Sequence, residues 1–205
     1  MLISSSDVDG EAAARLYYAV SSWGSQVSCI GLATSTARSG NTFVDTGTPA
    51  MCSGVGDAYN ALDPAPFVSQ DGRQWLSFGS FFGGIFITQL NVTTGIPMLP
   101  PHHPRQPHRG RGQHGLSGPV GGVAVGPVAI NTVDGAANAV EASYVHPAHG
   151  RYYLFVNFGL CCKGTASTYR VVVGRSRAPT GPVGNHGNQD LSTLPRICSR
   201  TLMVG

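Results

Sequence analysis

Two carboxylates stand apart from the other charged residues because of their surroundings. The chain has only two glutamates, and one of them, Glu141, lies in the apolar stretch NAVEASYV. A carboxylate buried in such a stretch is unfavourable unless it is paired, is protonated or faces a cavity. The last two states suit a general acid. The alternative is a half-exposed strand residue without a chemical role.

Asp63 has a matching position in the sequence. It precedes Pro64 just ahead of one apolar hairpin, and Glu141 lies just ahead of the next one. If equivalent positions of repeated units face a common channel, the two carboxylates lie close together. One shielded and one ionised carboxyl group is the pairing that glycosidases use. The alternative is that Asp63 is a turn residue, a position that aspartate favours.

Aromatic residues lie in or beside the turns at the same end of these units. Their rings could stack on sugar faces, although such residues more often belong to a core. They are Trp23, Tyr59, Phe81, Phe82 and Tyr144. Other chemistries have no matching pattern, since the chain has no nucleophile elbow and no glycine-rich phosphate loop. The adjacent pair Cys161 and Cys162 lacks the spacing of a zinc or thioredoxin site.

Three similar segments predict the elements that position these residues. Each has an aromatic-rich strand, a turn of small residues and a second strand, over residues 15–35, 73–90 and 151–176. Apolar and polar residues alternate with the period of two that is typical of strands, so we expect antiparallel hairpins. A repeat of roughly 50 to 57 residues fits the blades of a β-propeller. The alternative is a β-sandwich of ordinary hairpins.

Composition supports an all-β chain and excludes several classes of protein. The chain has 28 Gly, 14 Pro and a single Lys in 205 residues, which favours short strands joined by tight turns over long helices. A net charge of +3, concentrated in residues 102–114, does not predict nucleic-acid binding. The sequence has no apolar run of membrane-spanning length and no signal peptide.

Two weaker patterns favour an oxidising, extracellular compartment. Asn91-Val92-Thr93 is a glycosylation acceptor pattern, and the chain has five cysteines. The odd number leaves at least one cysteine free or paired outside the chain.

The chain divides into one main unit, an insert and a terminal segment. Residues 1–182 are predicted to form a partial propeller domain, with residues 183–205 weakly structured. The stretch at about 97–128 is rich in Pro, Gly, His and Arg and is interpreted as a long surface loop. A metal site from its histidines, or a nucleic-acid surface from its arginines, is disfavoured because acidic partners and interleaved aromatic residues are missing nearby.

Four motifs, in chain order, carry a specific resemblance. NALDPAPF, WLSFGSFFGGI, NAVEASYV and CCKGTASTY together resemble the endo-1,5-α-L-arabinanases of glycoside hydrolase family 43. The resemblance implies a five-bladed β-propeller that hydrolyses arabinan with inversion. In that family an aspartate is the general base, a glutamate is the general acid, and a second aspartate tunes the pKa of the acid and orients it.

The matching motifs assign these roles to residues of this chain. Glu141 would be the general acid and Asp63 the aspartate that tunes its pKa. Cys161 and Cys162 would form either a vicinal disulfide or two thiols. The residues that would contact arabinose units are Gly24, Asn60, Ala61, Leu62, Asp63, Ser80, Phe81, Phe82 and Ser167. Phe82 stands where the family commonly has tryptophan, and Ser143 stands where it usually has proline.

Two expected parts have no counterpart in the sequence. The family's general base lies in an upstream blade, and Asp7 and Asp9 have the wrong surroundings to replace it. The histidine-bearing last blade, which is associated with a central metal ion, often calcium, is also missing, and His186 is not a replacement. We therefore expect an incomplete propeller of about three blades, with no metal site and no cofactor needed for the chemistry.

The function predicted from sequence is that of a secreted hydrolase acting on arabinan or arabino-oligosaccharides, monomeric in its full-length form. It would bind neither nucleic acid nor membrane, and it would be inactive wherever the general base is missing. One alternative is a non-catalytic, carbohydrate-binding remnant of the same fold. Another is a structural or nucleic-acid-contacting protein that acts through the basic insert.

Overall fold

The computed structural model describes residues 2–6, 12–35, 42–98, 125–131 and 138–181. Within these ranges the regular structure consists of β-strands and one short 3-10 helix at Gly164–Ala166. Most of the predicted insert and the predicted segment 183–205 lie outside the described residues. The same is true of Asp7, Asp9 and His186. None of the described helices is long and apolar enough to cross a membrane.

The first sheet is built from the N-terminal strands. Its strands are β1 (Leu2–Ser6), β2 (Ala12–Ser21), β3 (Ser28–Ser35), β4 (Val44–Asp45) and β5 (Met51–Ser53). They pair in the order β1-β2-β3-β4, and β5 also pairs with β3. A disulfide between Cys29 and Cys52 joins β3 to β5 at positions that are paired in register.

The second and third sheets are antiparallel meanders. The second contains β6 (Ala65–Val68), β7 (Gln74–Phe78), β8 (Ile85–Gln89) and β9 (Val125–Ala129), paired in that order. The third contains β10 (Val140–Ala148), β11 (Arg151–Phe158) and β12 (Arg170–Ser176). The three hairpins predicted from sequence are confirmed as β2–β3, β7–β8 and β11–β12.

The turns follow local sequence chemistry. Asp71 and Gly72 form the turn between β6 and β7, and Gly72 has a φ of 81°. His149 and Gly150 join β10 to β11 as a two-residue loop with φ values of 49° and 71°. Positive φ at both positions is the geometry of the type I′ turn, whose twist matches that of paired strands.

Two apolar clusters show how the sheets stack. Tyr17, Ile30 and Leu32 of the first sheet pack against Leu76 and Phe78 of the second. The other face of the second sheet packs on the third, and this cluster includes Trp75, Ile85, Val140, Leu154 and Val156. Because successive side chains of a strand point to opposite faces, β7 sends Trp75 to one neighbour and Leu76 to the other. The middle sheet is therefore covered on both faces, as a blade is between its neighbours and unlike a sheet of a two-layer sandwich.

Candidate active site

Asp63 and Glu141 meet where the first strands of two adjacent sheets begin. Asp63 lies two residues before β6, Glu141 is the second residue of β10, and β10 packs against β6 and β7. The backbone N–H of Ala142 donates to Oδ2 of Asp63 over 3.0 Å. The carboxylate of Asp63 is thereby bound to the backbone of the residue that directly follows Glu141, the candidate acid.

The backbone at both carboxylates is unusual. Asp63 has a φ of 52° and Ala142 a φ of 51°. The register between β10 and β11 shifts between Glu141 and Tyr144, which marks a β-bulge. Bulges re-aim side chains beside active sites, and left-handed backbone at residues other than glycine is concentrated there. Here the bulge places the N–H of Ala142 on Asp63 while Glu141 keeps its own partners.

Two hydroxyl groups hold the carboxylate of Glu141. Ser80 donates from Oγ to Oε2 over 2.7 Å, and Tyr169 donates from its phenol to Oε1 over 2.6 Å. Ser80 is buried, whereas Glu141 is half-buried. Each oxygen of the Glu141 carboxylate thus has one donor, and the two donors come from the loop after β7 and from the residue before β12. Together they fix the orientation of the carboxylate.

The loop that carries Ser80 is bound on both sides. Asn60 donates from Nδ2 to the carbonyl of Ser80 over 3.0 Å, and the N–H of Phe81 donates to the carbonyl of Val140 over 2.9 Å. A side chain at Gly79 would meet the carbonyl oxygen of Gly84, so the loop is closed too tightly for any larger residue there. These contacts fix Ser80 relative to the start of β10.

The predicted substrate-contacting residues differ in their exposure. Asn60 and Ala61 are 2% and 0% exposed, so their side chains are buried. Asn60 holds the carbonyl of Ser80 by its hydrogen bond. Leu62 and Phe81 are partly exposed, and Phe82 is 46% exposed. The last two predicted residues, Gly24 and Ser167, are exposed in loops of the first and third sheets.

The loops of Gly24 and Ser167 reach the site indirectly. Gln26, in the turn of Gly24, donates to the carbonyls of Asp57 and Tyr59, in the segment that leads to Asn60. Ser167 accepts at Oγ from the N–H of Lys163 and lies two residues before Tyr169. Within the described ranges, none of the hydrogen bonds joins Gly24 or Ser167 directly to Glu141.

Tyr169 is the site residue that the sequence analysis missed. It lies inside the motif CCKGTASTY, one residue before β12. In the register of the third sheet, Asn157 of β11 is opposite both Glu141 of β10 and Val171 of β12. The hairpin pattern alone could have drawn attention to the residues just before β12, because they must lie near whatever begins β10.

The loop before Tyr169 contains the adjacent cysteines. The structure pairs Cys161 with Cys162, the first of the two states named for these cysteines. Leu160 and Thr168 close the loop through two hydrogen bonds, of 3.0 and 2.9 Å. These two hydrogen bonds fix the ends of the loop, and Tyr169, which directly follows it, contacts the carboxylate of Glu141. Cys198 lies outside the described residues.

The electrostatics of the site couple its three ionisable groups. Burial raises the pKa of Asp63, the N–H of Ala142 acts against that rise, and the charge of Glu141 adds to it. The pKa of Tyr169 is raised well above its usual range by burial first, and then by its hydrogen bond to Glu141 and the negative charge there. A phenol that keeps its proton is a permanent donor to the carboxylate.

Possible metal ligands are scattered in the described part of the chain. Within it, His, Cys, Asp and Glu side chains do not converge in groups of three or more. The calcium ion that the resemblance allows in the full family stays a prediction. The arrangement that is present can give a proton to an oxygen atom and stabilise the resulting carboxylate.

Comparison with known proteins identifies the family. Residues 14–196 match the model of glycosyl hydrolases family 43. The chain belongs to this family. The family 43 relatives include the extracellular endo-α-(1→5)-L-arabinanase 1 of Bacillus subtilis, 37% identical over 167 residues, which are 82% of this chain and 43% of that protein. The predicted family is thus confirmed.

Solved structures of family 43 proteins confirm the fold. The endo-arabinanase of Bacillus licheniformis is 36% identical, with a TM-score of 0.68 over 87% of this chain and 52% of that one. A Cellvibrio cellulosa α-L-arabinanase complexed with arabinohexaose is 27% identical, with a TM-score of 0.67 over 88% of this chain and 54% of that one. The neighbours are five-bladed β-propellers, and this chain spans about half their length. The three sheets are therefore propeller blades.

Proposed function

We propose that this chain carries the general acid, and the aspartate beside it, of an arabinan hydrolase that cleaves α-1,5-linked L-arabinofuranosyl units with inversion. The observation that carries the proposal is the carboxylate of Glu141, held by Ser80 and Tyr169 next to the carboxyl group of Asp63. The relatives named above as arabinanases support the choice of substrate.

Glu141 is proposed to give its proton to the leaving oxygen of the scissile bond. Proton transfer leaves Glu141 as an anion, and the hydroxyls of Ser80 and Tyr169 then both donate to it. Hydrogen bonds to a charged acceptor are stronger than those between neutral groups. The two donors therefore hold the carboxyl group of Glu141 in one orientation and can donate to the carboxylate that proton transfer leaves.

Asp63 is proposed to position the acid and to stabilise positive charge. Through Ala142 it fixes the bulge next to Glu141. Its ionised form also places a negative charge where the sugar ring becomes positive in an oxocarbenium-like transition state. The tuning of the acid's pKa by Asp63, which the resemblance implies, stays a prediction.

Inversion needs a second carboxylate on the far side of the sugar. In inverting glycosidases the two carboxyl groups are about 6.5–9.5 Å apart, with a water molecule between the base and the sugar. The resemblance places this base upstream of the motifs matched here. We therefore expect turnover only in a polypeptide that supplies such a group.

Export and assembly belong to the same proposal. Relatives in Bacillus subtilis and Cellvibrio japonicus are named extracellular, which supports secretion of this protein. A polymeric plant polysaccharide is too large to be taken up intact, so its hydrolase acts outside the cell. We propose a monomer in the full-length form, with arabinan or arabino-oligosaccharides as its partner. The absence of nucleic-acid and membrane binding stays a prediction.

The test compares the 205-residue chain with a polypeptide lengthened by the flanking coding sequence, called here the lengthened polypeptide. Linear α-1,5-arabinan is incubated with each, and reducing ends and the anomer formed first are measured by proton NMR. We expect release by the lengthened polypeptide, with the β-anomer appearing first. Binding of arabinan by both without release would overturn the proposal and favour the carbohydrate-binding remnant.

Replacing Tyr169 by phenylalanine is expected to lower kcat on linear arabinan by about 10- to 100-fold, the value of one hydrogen bond to a charged group. KM should change little, because Tyr169 acts on Glu141 and is a positioning residue. Tyr144→Phe is the matched control, since Tyr144 is exposed on the same sheet. Equal kinetic changes in both variants, or a change in KM alone, would contradict this role.

A further inference from the structure

The turn that follows β8 carries a pattern that hydrolysis does not use. Asn91, Val92 and Thr93 form the only Asn-X-Ser/Thr sequence in the 205 residues. All three are exposed, and Val92 is 66% exposed. The acceptor sequence of N-glycosylation thus lies on the surface, where a glycan can be attached without opening the fold.

The turn is at the opposite end of the second blade from the carboxylates. Asp63 precedes β6 and Ser80 follows β7, whereas Asn91 follows β8, which runs away from Ser80. A strand of five residues is about 17 Å long. A glycan on Asn91 would therefore extend from the far side of the blade and leave Glu141 accessible to a polysaccharide.

The amide of Asn91 is already oriented for modification. Its Oδ1 accepts from the N–H of Thr93 over 2.9 Å and from the N–H of Thr94 over 3.0 Å. Because Oδ1 and Nδ2 leave the amide carbon in different directions, Nδ2 is turned away from the backbone of the turn. Among the described residues, none of the hydrogen bonds within the turn uses this Nδ2.

The backbone of the turn is supported from the first blade. The guanidinium of Arg15, only 4% exposed, donates to the carbonyls of Val92 and Thr93 over 2.8 and 2.7 Å. The phenol of Tyr17 donates to the carbonyl of Gly95 over 2.6 Å. The inner side of the turn is therefore occupied by protein, and the outer side presents Asn91. A surface hollow of about 390 Å³ is lined in part by Asn91 and Val92.

We propose that Asn91 is an N-glycosylation site when the protein passes through a eukaryotic secretory pathway. The nitrogen Nδ2 forms a bond to C1 of an oligosaccharide carried on a lipid pyrophosphate. The bond from C1 to the pyrophosphate oxygen breaks and the lipid pyrophosphate leaves with the electron pair, while the amide proton passes to a base of the transferase. The proposal rests on export, not on hydrolysis of arabinan.

The test is secretion of the 205-residue chain from yeast behind a host leader peptide. We expect a shift in gel mobility that peptide N-glycosidase removes, and conversion of Asn91 to aspartate in the released peptide by mass spectrometry. Thr93→Ala should abolish the glycan and Thr93→Ser should keep it. Thr93→Ala retains the N–H that bonds Asn91, so loss of the glycan would not reflect loss of the turn.

Thr94→Ala is the matched control, because its N–H also bonds Asn91 but its hydroxyl lies outside the acceptor pattern. It should leave the glycan in place. An unmodified Asn91 in the secreted chain, or a glycan that persists in Thr93→Ala, would overturn the proposal. Arabinan hydrolysis is measured separately, so either result leaves the proposed function to its own test.

Discussion

The Glu141→Gln variant of the lengthened polypeptide is expected to hydrolyse linear arabinan about 10²–10⁴-fold more slowly than its parent, the usual contribution of a general acid. The amide has nearly the same shape as the carboxyl group, and its oxygen can still accept a hydrogen bond. It cannot deliver a proton with the strength of a carboxylic acid. Initial rates of reducing-end release measure this loss.

Glu11→Gln is the control, because Glu11 is the only other glutamate in the chain and the change in charge is identical. It should keep the parental rate. Thermal unfolding of both variants, followed by circular dichroism, shows whether the fold is kept. A Glu141→Gln variant that is folded and hydrolyses arabinan within a few-fold of its parent would remove Glu141 from the role of acid.

The Asp63→Asn variant is expected to change activity and stability in opposite directions. Its kcat on arabinan should fall by roughly 10²-fold, because the variant lacks the negative charge that stabilises the positively charged transition state. Its melting temperature at pH 7 should rise by a few degrees. Asparagine can still accept from the N–H of Ala142, but it carries no buried negative charge.

The pH dependence of this gain follows from the raised pKa of Asp63. Between the ordinary aspartate value near 3.9 and the higher folded value, the folded state binds more protons than the unfolded state. The free energy of unfolding therefore falls as pH rises through this window. The charge of Asp63 destabilises the folded state most at pH values above its folded-state pKa. The rise in melting temperature caused by Asp63→Asn should become smaller as pH is lowered toward about 4.

Asp45→Asn is a useful comparison, because the pKa of Asp45 is lowered, first by its hydrogen bond from Tyr18 and then by one from Gly47. Removing that carboxylate should not raise the melting temperature at pH 7. Differential scanning calorimetry between pH 4 and 7 would follow both variants. If Asp63→Asn were destabilised at pH 7, or stabilised equally at every pH, burial of its charge would not be the cause.

Features that depend on local pattern were predictable from sequence. The alternation in residues 151–158 predicts a strand with one buried face, and Tyr152, Leu154 and Val156 are buried there. Asp63 and Glu141 were placed together because both precede a hairpin of a repeated unit. The repeat fixes which end of the blade each residue occupies, and the contact through Ala142 agrees with it.

Features that depend on register or long-range packing were not predictable in this way. The contact of Tyr169 with Glu141 requires the exact pairing of three strands and a bulge at Ala142, and no residue type signals that bulge. The complete burial of Ala61 depends on the packing of the first blade against the second. Pairing of Cys29 with Cys52 likewise requires that β5 return to β3.

The most direct measurement compares two leaving groups in the lengthened polypeptide and its Glu141→Gln variant. One substrate is linear arabinan, and the other is a dinitrophenyl glycoside of an α-1,5-arabino-oligosaccharide, whose phenolate leaves without being protonated. If Glu141 is the general acid, Glu141→Gln loses most of its activity on arabinan and little on the aryl glycoside. Equal losses on both substrates would contradict the assignment.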